Sequence, residues 1–168
     1  SSDLDWTWRP LPDDELAVPR APDAATRSAI ESKMLSIMRN PTVATARRMS
    51  DICAGLGAGA DHHQISTLWK LAAAMFEAQS QGLLSPDVFS KRVASRLLAQ
   101  LRIFERGGRE VSERLARDLL FFCAQADSPG DGRKAPRLAA VRQAYDLAHH
   151  LSTDDQVSPL DRKSTRLN

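Results

Sequence analysis

The sequence predicts an all-α fold, an up-and-down antiparallel bundle of about six helices. Apolar residues recur at helical spacing, they are rich in Ala, Leu and Met rather than β-branched residues, and Gly or Pro separates helix-length segments by short connections. The 168 residues suit one domain, which buries roughly 70% of its unfolded surface and needs no disulfide or metal to form a core.

The beginning of the chain, residues 1–22, is predicted to be an extended, proline-rich linker. Its prolines are too dense for a helix to continue through them: Pro10, Pro12, Pro19 and Pro22. Trp6 and Trp8 alternate around Thr7, so on an extended strand they face the same side. Two interpretations stay open, in which the tryptophans either dock on the helical body as an apolar clip or are incidental in a loose linker.

A helical domain is predicted over residues 23–151. Asp23 is the predicted N-cap of its first helix, which continues to about Arg39. Asn40-Pro41 separates the first two helices, because proline suits the first position of the second helix. The second helix is predicted to end near residue 56, in a segment that contains Gly55, Gly57 and Gly59.

The third helix has the most regular apolar period in the chain. Asp61, with Gln64 three residues later, matches a capping box and predicts its start, and Gly82 predicts its end. The predicted buried face consists of Ile65, Leu68, Trp69, Ala72, Met75 and Phe76.

The last three helices are placed by similar signals. Ser85-Pro86-Asp87, with Leu84 and Phe89 as a hydrophobic staple, predicts the start of the fourth helix. Ser112 is the predicted cap of the fifth, and the wide apolar stripe of this helix predicts a central, heavily buried position. A loop over residues 127–132 precedes a sixth helix, predicted over residues 136–150.

The end of the chain, residues 152–168, is predicted to be a disordered tail. Residues 161–168 resemble a peptide that arises when sequencing-adaptor DNA is translated, so we expect them not to be native and exclude them from fold reasoning. Because the chain begins at Ser1 rather than methionine, we expect a fragment of a longer protein.

The charge distribution argues against nucleic acid as a partner. The formal net charge is +2, and residues 161–168 hold three basic and one acidic side chain, which accounts for all of it. The remaining chain has no net excess from which to build a basic face. Acids and bases interleave between Arg102 and Asp118, which indicates a solvated, ion-paired surface, with a docking face for an acidic partner as the alternative.

The sequence predicts a cytoplasmic location without membrane insertion. No apolar run approaches the ~20 residues that span a bilayer, and no signal peptide is recognisable. Cys53 and Cys123 lie in apolar helical stretches, where we expect buried free thiols.

No residue set for catalysis, cofactor binding or metal binding is found in the sequence. His62 and His63 are adjacent, as are His149 and His150, so neither pair shares a helix face as i, i+4 ligands do. A histidine phosphoacceptor in a helical bundle resembles His-x-x-Lys-Gly, and no lysine follows these histidines at that spacing. We therefore predict no enzyme and no phosphoacceptor, with His63 as the candidate to be tested.

Five segments together resemble a known family: Trp6-Thr7-Trp8-Arg9-Pro10-Leu11 and residues 68–78, 82–84, 93–96 and 112–122. Over roughly residues 6–150 the chain is similar to the second domain of FimL-type scaffold proteins. It is also similar to the N-terminal region of ChpA-class, CheA-like hybrid histidine kinases.

The resemblance implies a phosphotransfer-like helical domain in a two-component, chemotaxis-type system for type IV pili and twitching motility. It also implies protein partners such as response regulators, and a parent chain that is either a histidine kinase or a free scaffold. Because the phosphoacceptor pattern is missing, only a degenerate, non-phosphorylated scaffold role carries over to this chain.

Two alternatives remain. Trp69, Ala73 and Phe76 match the first helix of a tetratricopeptide unit, so a helical-repeat interaction domain is the main alternative, although no second copy follows. An enzyme that uses acids such as Asp118 and Asp146 is the other alternative, although their spacing does not bring them together.

Overall fold

The computed structural model describes residues 6–85, 91–129 and 134–147, and over these residues the backbone forms six helices and no strand. The helices are α1 (Ala24–Arg39), α2 (Val43–Gly59), α3 (His63–Ser80), α4 (Lys91–Glu105), α5 (Glu113–Gln125) and α6 (Pro136–Ala144). The prediction of an all-α bundle is confirmed.

The centre of the bundle is α3, which packs against α2, α5 and α6. Every residue from 71 to 78 is buried, and the Trp69 ring meets Phe104 of α4 edge-on at 6.2 Å. The prediction that α5 is the central helix is therefore wrong. Phe121 of α5 is exposed and Phe122 is partly buried, because the neighbours of α5 cover one side of it.

Two predicted helix caps are confirmed. The Asp23 carboxylate accepts a hydrogen bond from the Thr26 amide at 2.9 Å, and the Ser112 hydroxyl accepts from the Leu115 amide at 3.1 Å. Each acceptor satisfies an amide that has no partner within its own helix. The hydrogen bond from the Thr26 amide also lowers the pKa of Asp23.

The start of α2 differs from the prediction by two residues and the cap of α3 by one. Val43, rather than Pro41, is the first residue of α2, because the Thr42 hydroxyl caps the helix by accepting from the Thr45 amide at 3.1 Å. The N-cap of α3 is His62, whose Nδ1 accepts from the Gln64 amide at 3.2 Å. Asp61 instead forms an ion pair with Arg109 at 3.2 Å.

The C-terminal ends of the second and sixth helices differ from the predictions. The α2 helix continues through Gly55 and Gly57 and ends at Gly59, so two of the three glycines lie within it. The α6 helix ends at Ala144, not at residue 150, because Asp146 adopts a left-handed backbone with φ of 57°.

Several predictions lie outside the described residues. They concern the Pro86-Asp87 start of the fourth helix, Phe89, part of the loop at 127–132, the segment 148–151 with His149 and His150, and the tail from 152 to 168. Within the described part of the chain, no helix combines the length and apolarity needed to cross a membrane.

Candidate functional site

The two described histidines occupy the start of α3. His62 caps the helix, as described above. His63 is exposed, and its Nε2 lies 3.0 Å from the carbonyl oxygen of Trp8. The residues one turn further on are Ile65 and Ser66, neither of which carries a positive charge. Each imidazole therefore makes a hydrogen bond to a backbone group, His62 to the Gln64 amide and His63 to the Trp8 carbonyl.

Residues 6–22, here called the strap, run without helix across one side of the bundle. Polar side chains of α3 at positions 63, 67 and 70 bind three strap carbonyls in chain order. Their spacing of four and three residues places them on one helix face. The three bonds join His63 Nε2 to the Trp8 carbonyl at 3.0 Å, Thr67 Oγ1 to the Arg9 carbonyl at 3.0 Å, and Lys70 Nζ to the Leu11 carbonyl at 3.1 Å.

An aromatic cluster holds the beginning of the strap. The Trp6 ring stacks on Tyr145 with centroids 5.9 Å apart, and Trp8 meets Trp6 edge-on at 5.0 Å. The Tyr145 hydroxyl donates to the Thr7 carbonyl at 2.8 Å and accepts from the Arg9 amide at 3.1 Å. Burial raises the pKa of Tyr145, which keeps this hydroxyl a donor. The tryptophans thus dock on the helical body, as the first of the two interpretations expects.

The end of the strap crosses α2 at its glycines. The Arg20 amide donates to the Gly55 carbonyl at 2.9 Å. A Cβ atom on Gly55 would lie 2.5 Å from the Val18 carbonyl oxygen, and one on Gly59 would collide with the Arg20 carbonyl. These glycines give the strap backbone room to lie directly on the helix, which is why they occur inside α2.

A cleft of about 1050 Å³ lies between strap residues 11–20 and helices α2, α3 and α6; we call it the strap cleft. Arg137 of α6 is its main connector. Its guanidinium binds Asp14 of the strap at 2.6 Å, Asp51 of α2 at 3.0 Å and the Ser50 hydroxyl at 2.8 Å. Ser50 in turn donates to the Ala73 carbonyl of α3 at 2.7 Å. This network joins the strap to all three helices.

Glu77 of α3 forms part of the cleft and caps a different helix. Its Oε1 accepts a hydrogen bond from the Leu138 amide at 2.9 Å, in the first turn of α6. Ala135, at the N-cap of α6, offers no side-chain acceptor, so Glu77 fills that role from another element. Burial raises the pKa of Glu77, although the hydrogen bond from Leu138 and the charge of Arg137 lower it in part.

The cleft carries cations that lack an acidic partner. Arg47, Arg48 and Lys134 line it and are exposed, and within the described part of the chain none of them forms an ion pair. Two exposed apolar side chains line the same cleft: Leu16 is 83% exposed and Val18 is 74% exposed. An edge with both unpaired charge and uncovered apolar surface is typical of a binding surface.

The charged surface of α4 and α5 differs from the cleft, because ion pairs cover much of it. Those pairs are Arg96 with Asp118 at 3.0 Å, Arg102 with Glu31 at 3.1 Å, Arg109 with Asp61 at 3.2 Å, and Arg117 with Glu113 at 3.5 Å. The predicted ion-paired surface is confirmed at these residues. The Asp118 carboxylate, which the enzyme alternative would pair with a second acid, accepts a hydrogen bond from Arg96.

The cysteines are structural, as predicted. Cys53 and Cys123 are buried free thiols, and burial raises the pKa of each to about 12. Thiols in this state are poor nucleophiles. No cluster of three or more His, Cys, Asp or Glu side chains suited to a metal ion occurs among the residues that the structure describes.

Sequence reasoning missed the polar face of α3 and the strap cleft. A signal was present, because His63, Thr67, Lys70 and Glu77 recur at spacings of four, three and seven, which places them on one face of the helix. That stripe is the mark of a second, polar contact surface. The identity of its partner, a segment some 60 residues earlier, does not follow from the spacing.

A family model described as the FimL scaffold protein second domain matches residues 15–158, well over half of the chain. Comparison with curated proteins and with solved structures finds no match. The matched range includes α1 to α6 and the strap from residue 15 onward.

Proposed function

The chain belongs to the family of the FimL scaffold protein second domain, and on that premise we propose that it is a non-catalytic scaffold for protein partners. The system it serves is a two-component, chemotaxis-type pathway that controls type IV pili and twitching motility. Its partners are response regulators or other signalling domains of that pathway, in the cytoplasm. The family match over residues 15–158 is the observation that carries this proposal.

We propose further that the domain is a degenerate relative of phosphotransfer domains that accepts no phosphoryl group. The histidines at the start of α3 support this. His62 uses Nδ1 to cap the helix and His63 uses Nε2 to bind the strap, so each ring already has a structural role. Neither is followed one turn later by a lysine that would neutralise a bound phosphate.

A scaffold built as a compact bundle agrees better with the packing than a helical repeat does. In stacked repeats each unit contacts only its neighbours in sequence. Here α3 packs on α2, α5 and α6, and the strap binds α2, α3 and α6 together. Interactions between segments so distant in sequence favour one closed core.

The first experiment tests phosphorylation in the full-length protein that carries this domain. The variant replaces His62 by Asn, which retains a capping acceptor, and His63, His149 and His150 by Gln. We expect no phosphohistidine on the wild type after incubation with acetyl phosphate or a phosphorylated receiver domain, and unchanged twitching of cells that carry the variant. A stable phosphohistidine, or lost twitching with normal protein levels, would contradict the degenerate assignment.

The second experiment tests scaffolding itself. Purified receiver domains of the same pathway are titrated against the full-length protein by calorimetry, with an unrelated receiver as the control. We expect saturable binding of at least one pathway receiver and none of the control. If every pathway protein fails to bind, the scaffold role is wrong.

A further inference from the structure

We propose that the strap cleft binds a segment of a partner protein that carries both acidic and apolar side chains. This inference rests on the scaffold function proposed above and adds the place of docking and the chemistry of the partner. The cleft is formed by strap residues 11–20 with α2, α3 and α6, and its volume is about 1050 Å³.

Charge selects an acidic partner. Arg47 and Arg48 project from α2 and Lys134 lies just before α6, all three exposed at the cleft and without an ion pair in the described residues. Most acids of the same cleft are engaged: Asp13 lies 3.9 Å from Lys70, Asp14 and Asp51 both bind Arg137, and Glu77 accepts from the Leu138 amide. Glu15 also lines the cleft, is exposed and has no ion pair in the described residues. Three exposed, unpaired cations therefore face one unpaired carboxylate, so the free charge of the cleft favours an incoming acid.

The exposed apolar surface of the strap cleft favours a polypeptide over a small anion as the ligand. Leu16 and Val18 are 83% and 74% exposed, and they line the same cleft as the unpaired cations. A phosphate ion would leave both of them in water. A peptide that adds Leu or Val side chains to its acids would cover them. The cleft volume of about 1050 Å³ lies slightly above the roughly 300–1,000 Å³ of small-molecule sites.

The exposed residues Leu16 and Val18 lie in a segment that hydrogen bonds hold in place. The Leu16 amide donates to the Asp14 carboxylate at 3.0 Å, and the Ala17 amide donates to the Asp14 carbonyl at 3.1 Å, which forms a turn. The same Asp14 is bound by Arg137, and the Arg20 amide is bound by Gly55. Leu16 and Val18 thus lie between two anchors, and a preorganised segment lowers the entropy lost on binding.

The experiment selects short random peptides displayed on phage against the full-length protein. The enriched peptides are then synthesised, and fluorescence anisotropy measures their affinity. We expect enriched peptides that combine Asp or Glu with Leu, Val, Ile or Phe. Arg47→Glu/Arg48→Glu should weaken their binding about tenfold or more, because two attractions become repulsions. Leu16→Ser/Val18→Ser should weaken it severalfold, since the uncovered apolar area is lost.

Matched controls separate the cleft from general changes of surface. Arg106→Glu/Arg114→Glu reverses two exposed cations that do not line the cleft, and Leu35→Ser/Val43→Ser replaces two exposed apolar residues elsewhere. Both controls should bind the peptides as the wild type does. Circular dichroism melts check the fold, and Arg47→Gln/Arg48→Gln replaces the reversal if that variant is unstable.

Four outcomes would overturn the proposal: no enrichment, enrichment of basic peptides, equal weakening by the control variants, or displacement of the peptide by inorganic phosphate or a single-stranded oligonucleotide. The last outcome would identify a general anion surface. Failure here leaves the scaffold role standing if pathway receivers still bind in the titration, so the two proposals fail separately.

Discussion

The two sides of α3 stabilise the protein in different ways. On one side Trp69 is buried to 1% exposure and packs against Phe104 in the apolar core. On the other side His63, Thr67 and Lys70 hold the strap through its carbonyls. Apolar packing is strong and non-directional, whereas a hydrogen bond is weaker in net terms and demands one position of its partner. The core side therefore supplies most of the stability, and the strap side sets where residues 6–22 lie.

Truncation on the core side should have the largest effect. Trp69→Ala removes a fully buried indole, and we expect a loss of about 3–5 kcal/mol in the free energy of unfolding, from lost transfer energy and the remaining cavity. Urea unfolding followed by circular dichroism measures it. Leu35→Ala, at a residue 55% exposed on α1, serves as control and should change stability by less than about 0.5 kcal/mol. Equal losses in the two variants would mean that the core is not centred on α3.

A substitution in α2 beneath the strap should have the next largest effect on the free energy of unfolding. The sign of that change shows whether the strap lies on the helix. Helix propensity alone predicts that Gly55→Ala stabilises α2 by up to about 1 kcal/mol. The new Cβ would instead lie 2.5 Å from the Val18 carbonyl oxygen, so we expect a loss of about 1–3 kcal/mol as the strap shifts. Hydrogen exchange of the Arg20 amide, bound to Gly55, should accelerate.

The control for that substitution lies on the open face of the same helix. Ala44→Gly, at an exposed position in the first turn of α2, should cost at most about 1 kcal/mol from propensity alone without changing exchange in the strap. If Gly55→Ala stabilises the protein, the strap does not lie on α2.

Loss of one strap bond should have a smaller effect. Thr67→Val keeps the shape of the side chain but removes the hydroxyl that donates to the Arg9 carbonyl, for an expected loss of about 1 kcal/mol. The loss should appear as faster local exchange in the strap, with little change in the core. Ser32→Ala, exposed on α1, is the control and should leave both unchanged. Uniformly faster exchange across α5 would contradict the separation of the two sides.

The smallest effect concerns pH. Burial raises the pKa of Glu77 above its ordinary value of 4.5, so the folded state binds more protons than the unfolded state in that range. Stability should therefore fall as the pH rises from about 4.5 through the raised pKa. Glu77→Gln keeps an oxygen that can accept from Leu138 and should flatten this dependence in urea titrations from acidic to neutral pH. An unchanged slope would show that another group is responsible.

The elements that were predicted well depend on neighbouring residues. Asp23 and Ser112 cap their helices as expected, because a cap bonds an amide only three residues away. The α3 face containing Trp69 and Phe76 is buried because its period belongs to the sequence itself. His62 replaced Asp61 as a cap because Asp61 has a more distant partner, Arg109, which local spacing does not reveal.

The candidate site was predicted only through its tryptophans, since a strand pattern placed Trp6 and Trp8 on one side. The glycines of α2 were interpreted as a helix end because glycine commonly serves there. In fact these glycines leave room for the backbone of Arg20 and Val18. That role cannot be recognised without knowing that the strap crosses this helix. Lys70 was weighed only as a neighbour of a phosphoacceptor, although its partner is the Leu11 carbonyl.

By itself the sequence determined that this chain is helical, where its helices approximately lie and which residues form the core, because apolar period and cap chemistry act over a few residues. The tertiary structure alone decided the path of the strap, the capping of α6 by Glu77, and the meeting of Arg47, Arg48 and Leu16 at one cleft. Those features join residues that are dozens of positions apart, and such pairings arise only once the apolar core has brought the helices together.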